Sequence, residues 1–473
     1  MLRLLLGKEI IVLGNVSLRP RGRRHSSQGH GTREDHEAMN RWTVVVGAIM
    51  IQLALGAIYA WSAFTTPLQG TATTPSQFNF SKTETQAIFS AGLATFAIVM
   101  ILAGRLQQKI APRNVAVLGG LLLGAGYILA GFTGASFIGK LLTIGIVGGA
   151  GIGFAYVVPI AVGVRWFPDK KGLLSGLAVA GFGFGAFIWI MLASPPAILG
   201  IRGLINVDSK VYTIANVDQV FMIYGIIFLI LIVTGSLVMV NPPEGFKPPG
   251  YAPSSSEGRK SRPSGGDYSS GDMLRTWQFY AIWSMFMFGT LTGLMVIGNI
   301  QNFAKDLSYG FQGHGFTAAQ ASDFAVIGAA ICLPILNGVG RIVWGTSSDK
   351  IGTKRALLLM FLLQAVMTLA FFFTTVNEYL FYTVGALIGF NFGGNLALFP
   401  ATTADFFGNK NLGANYGLVF TAYGVGGIVG PILAGMVQDC NLSFLYAFIP
   451  ASLLCFVAAI VAFIIRTPRR KED

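Results

Sequence analysis

The chain has 473 residues, 53% of them hydrophobic and only 11% charged, with a net charge of +13. Such a composition excludes an ordinary soluble domain. The positive charge, once its positions are known, needs no nucleic-acid partner to account for it.

Residues 1–40 hold Arg19, Arg21, Arg23, Arg24 and Arg33 among Ser, Gly and His, and are predicted to form a basic, disordered tail. Their apolar opening, Leu2–Leu13, is interrupted by Lys8 and Glu9 and is too short to span a bilayer. A targeting segment or an over-extended gene start would read the same way. Beyond it, twelve apolar stretches of a length suited to a hydrocarbon core follow at 43–64, 85–104, 114–132, 141–164, 172–193, 217–240, 277–301, 321–345, 356–375, 379–402, 413–437 and 443–465. The fold class expected is an all-α membrane protein with twelve transmembrane helices. Many of the 61 glycines fall inside these stretches, where they allow close helix approach.

After the sixth stretch comes 241–272, a polar segment rich in Pro, Gly and Ser that reads as a cytoplasmic linker. It divides the chain into six-helix bundles over 41–240 and 273–466, with a short tail at 467–473. If the N-terminus is cytoplasmic, the inner loops and C-terminal tail hold nineteen Lys and Arg, and the outer loops hold five: Lys82, Lys140, Arg202, Lys210 and Lys305. This positive-inside bias puts both termini in the cytoplasm of a multi-pass protein of the cell membrane, with the lipid bilayer as its surroundings. Cys332, Cys440 and Cys455 follow no pairing pattern and read as packing residues.

The two bundles repeat one another. Gly104-RLQQ-Lys109-Ile110 after the second stretch matches Gly345-TSSD-Lys350-Ile351 after the eighth, 241 residues later. Pro159 and Pro400, Gly172 and Gly413, Gly176 and Gly417, Leu177 and Leu418, Trp166 and Phe407, and Phe182 and Tyr423 keep the same spacing. Two equivalent six-helix halves on a polar linker are the parallel-repeat arrangement of major-facilitator transporters, whose binding site lies near the midplane between halves. Gly345-x-x-x-Asp349-x-x-Gly352-x-Lys354-Arg355 resembles the loop signature of that superfamily. The resemblance implies close helix approach at the glycine and a cytoplasmic charge latch from Asp349, Lys354 and Arg355. The first copy has Gln108 and Ala111 at the places of Asp349 and Gly352, so the latch is expected to be stronger in the second half.

Arg341 lies inside the apolar run Phe324–Trp344 and is the one Lys or Arg well within a predicted span. A guanidinium in lipid is costly and ordinarily faces a bundle interior or substrate path; the alternative is that it snorkels toward the loop at Asp349, eight residues on. Asn337 sits four residues earlier on the same helix face, placed to orient it. Gln52, Tyr59, Trp61 and Ser62 interrupt the first span, Tyr156 precedes the Pro159 bend, and Asn395, Tyr416 and Tyr423 are the polar positions of spans ten and eleven. Together with Phe182 they are candidates to line a pocket for a small anion, although each aromatic alone also suits core packing. No span has a carboxylate at its middle, so a proton-relay acid is not evident. Protons, if coupled, travel with the substrate acid or by way of Asp323. No nucleophile–base pair or metal-ligand cluster occurs within the spans, so neither an enzyme nor a cofactor is expected.

NRW at 40–42, GAIYAWS at 56–62, RWFPDKKGLLSGLAVAGFGFGA at 165–186, NGVGRIVWGTSSDKIG at 337–352 and FPATTADFFGNKNLGANYG at 399–417 resemble the oxalate–formate antiporter family of the major facilitator superfamily. That family is similar to the monocarboxylate transporters. The resemblance implies that Arg341 binds a carboxylate and that Tyr423 stands where oxalate carriers would have lysine. A dianion wants two cations in a low-dielectric cavity. One arginine with tyrosine and amide groups suits a single carboxylate, as in lactate, pyruvate, formate or acetate. The function expected is secondary transport of a small monocarboxylate by alternating access, coupled to protons or to anion exchange. An oxalate/formate-type antiporter and a transporter-like carboxylate sensor are the alternatives.

Overall fold

The computed structural model describes residues 40–69, 76–107, 109–167, 171–193, 203–204, 216–243, 246, 267–408 and 411–468, without the side chains of 164 and 171–179. The tail before Asn40, most of the 241–272 linker, Gln108, and the end of the C-terminal tail lie outside these residues. The described residues of the chain are helical throughout their regular segments. In chain order the helices are α1 (Arg41–Leu55), α2 (Ser62–Gln69), α3 (Lys82–Leu106), α4 (Pro112–Ala130), α5 (Phe137–Lys140), α6 (Gly149–Trp166), α7 (Lys171–Ala193) and α8 (Val217–Ser236). They continue with α9 (Ser270–Leu274), α10 (Trp277–Ala304), α11 (Ala318–Ile327), α12 (Leu333–Ile351), α13 (Thr353–Phe371), α14 (Glu378–Phe407), α15 (Leu412–Asp439) and α16 (Leu445–Ile464).

Eleven continuous helical stretches among the described residues are long and apolar enough to cross a membrane. With α7 they account for all twelve predicted spans. Their outer faces expose Ile98, Leu121, Leu129, Ile230, Leu453 and Phe463, a surface suited to lipid and not to water.

Local sequence sets the helix ends. Ser81 and Glu84 form a capping box at α3, Asn216 and Gln219 another at α8, and Thr317 and Gln320 a third at α11. Pro112 opens α4 at a position where its missing N–H costs nothing. Between α12 and α13 the chain turns at Gly352, whose φ of +87° is closed to most side chains. The corresponding Ala111 enters α4 with φ −57°, so the first copy of the loop has no need of glycine.

The repeat seen in the sequence recurs in the helix boundaries. α4 spans Pro112–Ala130 and α13 spans Thr353–Phe371; α6 ends at Trp166 and α14 at Phe407; α7 begins at Lys171 and α15 at Leu412. All of these boundaries are 241 residues apart. Gly172, Gly176 and Leu177 are helical, but their side chains lie outside the described set.

Two expectations need correction. The first span does not run as one α-helix: Gly56–Ala60 tightens to a 3-10 turn, and helix resumes at Ser62. Lys140, read as an outer-loop residue, is fully buried where α5 leads into a π-helical segment, Leu141–Gly148. Its ammonium meets Asp218 Oδ1 at 2.6 Å and also donates to Thr133 Oγ1 at 3.3 Å. The rings of Phe78 and Phe221 lie 4.9 and 5.3 Å from it. Lys140 is therefore a second buried cation, at the start of its span, while Arg341 lies well within one.

Candidate functional site

Arg341 is carried on α12, just after a π-helical stretch, Gly328–Cys332, and Pro334. The helix is pressed against α14 by glycine: a Cβ at Gly393 would lie 2.1 Å from the Asn337 carbonyl oxygen. This contact leaves no slack in the turn that bears both Asn337 and Arg341. Asn337 is fully buried and Arg341 is 2% exposed, so the guanidinium does not extend to either aqueous face.

Asn337 Oδ1 accepts a hydrogen bond from Arg341 Nε at 3.0 Å, as their shared helix face predicts. The guanidinium carbon lies 5.9 Å from the centroid of Phe182, and the head group is within hydrogen-bonding reach of the Tyr59 and Tyr156 hydroxyls. Phe182, Tyr59 and Tyr156 belong to the first half and Arg341 to the second, so the charge sits where the halves meet.

Tyr59 reaches this place through the 3-10 turn. A Cβ at Gly56 would fall 2.2 Å from the Phe182 carbonyl oxygen, so the glycine allows the turn to close on α7. The Tyr59 ring then meets Phe182 edge-on at 4.9 Å, and its hydroxyl lies 2.9 Å from that of Tyr423 in the other half. Phe182 and Tyr423, equivalent in the repeat, thus flank the same tyrosine. Gln52 is buried behind the site, its amide donating to the Tyr156 carbonyl at 3.5 Å.

Two predicted lining residues stand elsewhere. Trp61 turns toward α3, where its indole N–H donates to the Thr85 carbonyl at 2.9 Å. Asn395 faces α10 at Gly289 and donates to the Asn391 carbonyl at 3.3 Å. Among the described residues no ion pair joins Asp349 to Lys354 or Arg355; instead the Thr353 hydroxyl donates to Asp405 at 2.8 Å. Among the described residues a Cβ on Gly345 would meet only Ala397 of its own half within 4 Å, and one on Gly104 nothing.

Phe96 and Phe420 went unnoticed in the sequence, yet both belong to the cluster. Phe96 touches Tyr156, Phe182, Phe420 and Tyr423 at centroid distances of 5.1, 6.4, 5.4 and 5.6 Å, and Phe420 stacks on Tyr423 at 4.8 Å. One signal could have identified Phe96: it precedes Asn337 by the repeat interval of 241 residues.

The seam between α3 and α15 shows how the halves are disposed around this cluster. At the far end, where α3 starts and α15 finishes, Asp439 accepts the N–H of Lys82 at 3.0 Å, the N–H of Thr83 at 2.8 Å and the Thr83 hydroxyl. A Cβ on Gly435 would lie 3.0 Å from the Thr83 Cα, and one on Gly424 would lie 2.8 Å from Ala97 Cβ. Toward the other end the helices part: among the described residues a Cβ on Gly417 would meet only Ile101, at 3.9 Å, and one on Gly413 or Gly104 nothing within 4 Å. The far end is sealed, and the end where α3 finishes and α15 starts is splayed.

Comparison with known proteins agrees with this architecture. The model of the Major Facilitator Superfamily matches residues 44–337 and 312–473. The oxalate:formate antiporter of Oxalobacter formigenes is 28% identical over 90% of this chain and 92% of its own. Apicoplast pyruvate carrier 1 of Toxoplasma gondii is 25% identical over 81% of this chain and 82% of its own. In fold alone, the chain is similar to a bacterial homolog of the human lysosomal transporter Spinster, solved inward-facing and unoccupied. The TM-score is 0.59 at 16% identity, covering 90% of this chain and 96% of that one.

Proposed function

The chain belongs to the Major Facilitator Superfamily, as a multi-pass membrane transporter and not an enzyme, and we propose that it carries a small monocarboxylate of the lactate, pyruvate or formate class by alternating access. The observation that carries this reading is the buried Arg341 guanidinium between the halves, tied to Asn337 and facing phenolic hydroxyls. A planar guanidinium matches a carboxylate with two parallel N–H donors. Tyr59, Tyr156 and Tyr423 add O–H donors for the same group, and Phe96, Phe182 and Phe420 offer rings to a short apolar body. The bundles over 41–240 and 273–466 would rock about this point, with the 241–272 linker and both tails in the cytoplasm of the cell membrane. Protons would travel with the acid or by way of Asp323.

The test is uptake into proteoliposomes together with a thermal-shift screen of one-, two- and three-carbon acids. Arg341→Ala is expected to abolish uptake and ligand-induced stabilisation while the purified protein stays folded. Near-normal uptake by that variant would remove Arg341 from the site. The resemblance to an oxalate:formate antiporter favours a second reading, exchange of dicarboxylate for monocarboxylate. In that case a further donor would have to serve the second carboxylate, and external oxalate would drive efflux of preloaded formate.

A further inference from the structure

We propose that Lys305, with Gln301 one turn before it, forms a second carboxylate-binding position on the far-end seam, holding the substrate anion as it passes between the halves. This inference rests on the transport reading above.

Lys305 directly follows α10, at the edge of a predicted span. A lysine placed there ordinarily extends its stem outward to water. Here the residue is half-buried and its ammonium bends back one turn, donating to Gln301 Oε1 at 3.3 Å. Gln301 is 2% exposed, and its own Nε2 finds no partner among the described residues. The pair therefore holds a buried N–H donor that has no partner among the described residues.

The face they occupy is the one that meets the first half. Gly298, Gln301 and Lys305 fall at i, i+3 and i+7 on one side of α10. Gly298 packs on Gln86 and Phe89 of α3, and its carbonyl accepts the Gln86 amide at 3.1 Å. By spacing, Lys305 extends this face one turn further toward the far end. Asn302 Nδ2 and Gln438 Nε2, near the same ends of α10 and α15, also lack partners among the described residues. The amide oxygens Gln86 Oε1 and Asn299 Oδ1 likewise lack partners among the described residues, so the preference for an anion rests on the Lys305 ammonium.

Nearby charges are turned away. The Asp306 carboxylate accepts the N–H groups of Ser308 and Tyr309, both at 2.9 Å. Gln312 donates to the Lys305 carbonyl, and His314 Nδ1 sits on the Gly310 carbonyl at 3.0 Å. Among the described residues no carboxylate lies within ion-pair distance of Lys305. Burial pushes its ammonium down to about 8. The charge is therefore present at neutral pH and is lost as pH rises through that value.

The experiment uses the full chain in proteoliposomes, with radiolabelled formate and pyruvate offered to either face at pH 7 and pH 9. Lys305→Gln is expected to raise the far-face KM about tenfold, leaving the KM at the opposite face and the thermal shift of the detergent-solubilised protein unchanged. Lys305→Arg should keep the wild-type KM at pH 7 and abolish the alkaline rise in KM that the wild type shows. Unchanged kinetics in Lys305→Gln, or an equal rise at both faces, would overturn the inference. A wild type without saturable uptake would overturn the transport reading as well, whereas a silent Lys305→Gln in a working carrier overturns this inference alone.

Discussion

At Arg341 one amide fixes the charge that the site depends on. Without the Asn337 oxygen the Nε proton would lose an acceptor in a buried place, a loss of about 1–3 kcal/mol. Asn337→Leu is therefore expected to weaken binding severalfold while leaving the protein inserted and folded, as measured by the ligand-induced thermal shift beside the unliganded melting temperature. Tyr423→Lys places a second cation beside Tyr59, across the seam from Phe182, and is expected to increase competition by oxalate over formate; unchanged competition would remove the argument for a monoanion. The arginine was legible because a charge in an apolar run stands out, and Asn337 because it lies one helical turn away. Phe96 and Phe420 were not, since a phenylalanine in a membrane span looks the same whether it faces lipid, core or ligand. Trp61 and Asn395 were equally conspicuous in the sequence, yet they point into single halves.

Pairs of helices decide what the seam can do. Asp439 satisfies three donors in the first turn of α3, and no other described contact between the halves concentrates so many bonds on one side chain. Removing it with Asp439→Ala should shift the protein toward an open far end by about 1–3 kcal/mol. Ser90→Cys, buried behind that contact, should then react faster with a membrane-impermeant thiol reagent in a Cys440→Ser background. A labelling rate equal to that of the intact latch would show that Asp439 does not hold the gate. None of this was readable from sequence, where Asp439 is one more carboxylate at a span's end. The 3-10 turn at Gly56–Ala60 was hidden for a similar reason: no proline announces it, and it is imposed by the close approach to α7. The burial of Lys140 was hidden because its partners, Asp218, Phe78 and Phe221, come from distant parts of the chain.

The molecule as a whole was the most legible level. Composition, the twelve apolar stretches and the interval of 241 residues are collective signals, and single misassignments do not disturb them. They also imply that the halves move as bodies, which can be tested by joining them. Thr83→Cys and Gly435→Cys would set two thiols at the closest approach of these helices, where a Cβ on Gly435 falls 3.0 Å from the Thr83 Cα, and a short bifunctional thiol reagent or oxidation would join them. Oxidation should arrest uptake and reduction restore it, while ligand still binds from the splayed end. Uptake that persists through complete crosslinking would exclude rocking about this seam.

The antiparallel course of α3 and α15 has an electrical consequence. Each helix has a positive pole at its start and a negative one at its finish. At the sealed end the start of α3 meets the finish of α15; at the splayed end the finish of α3 is opposite the start of α15. Closing either mouth therefore brings unlike poles together. The two postures are balanced like the arms of a see-saw, and a weakly bound passenger can tip them.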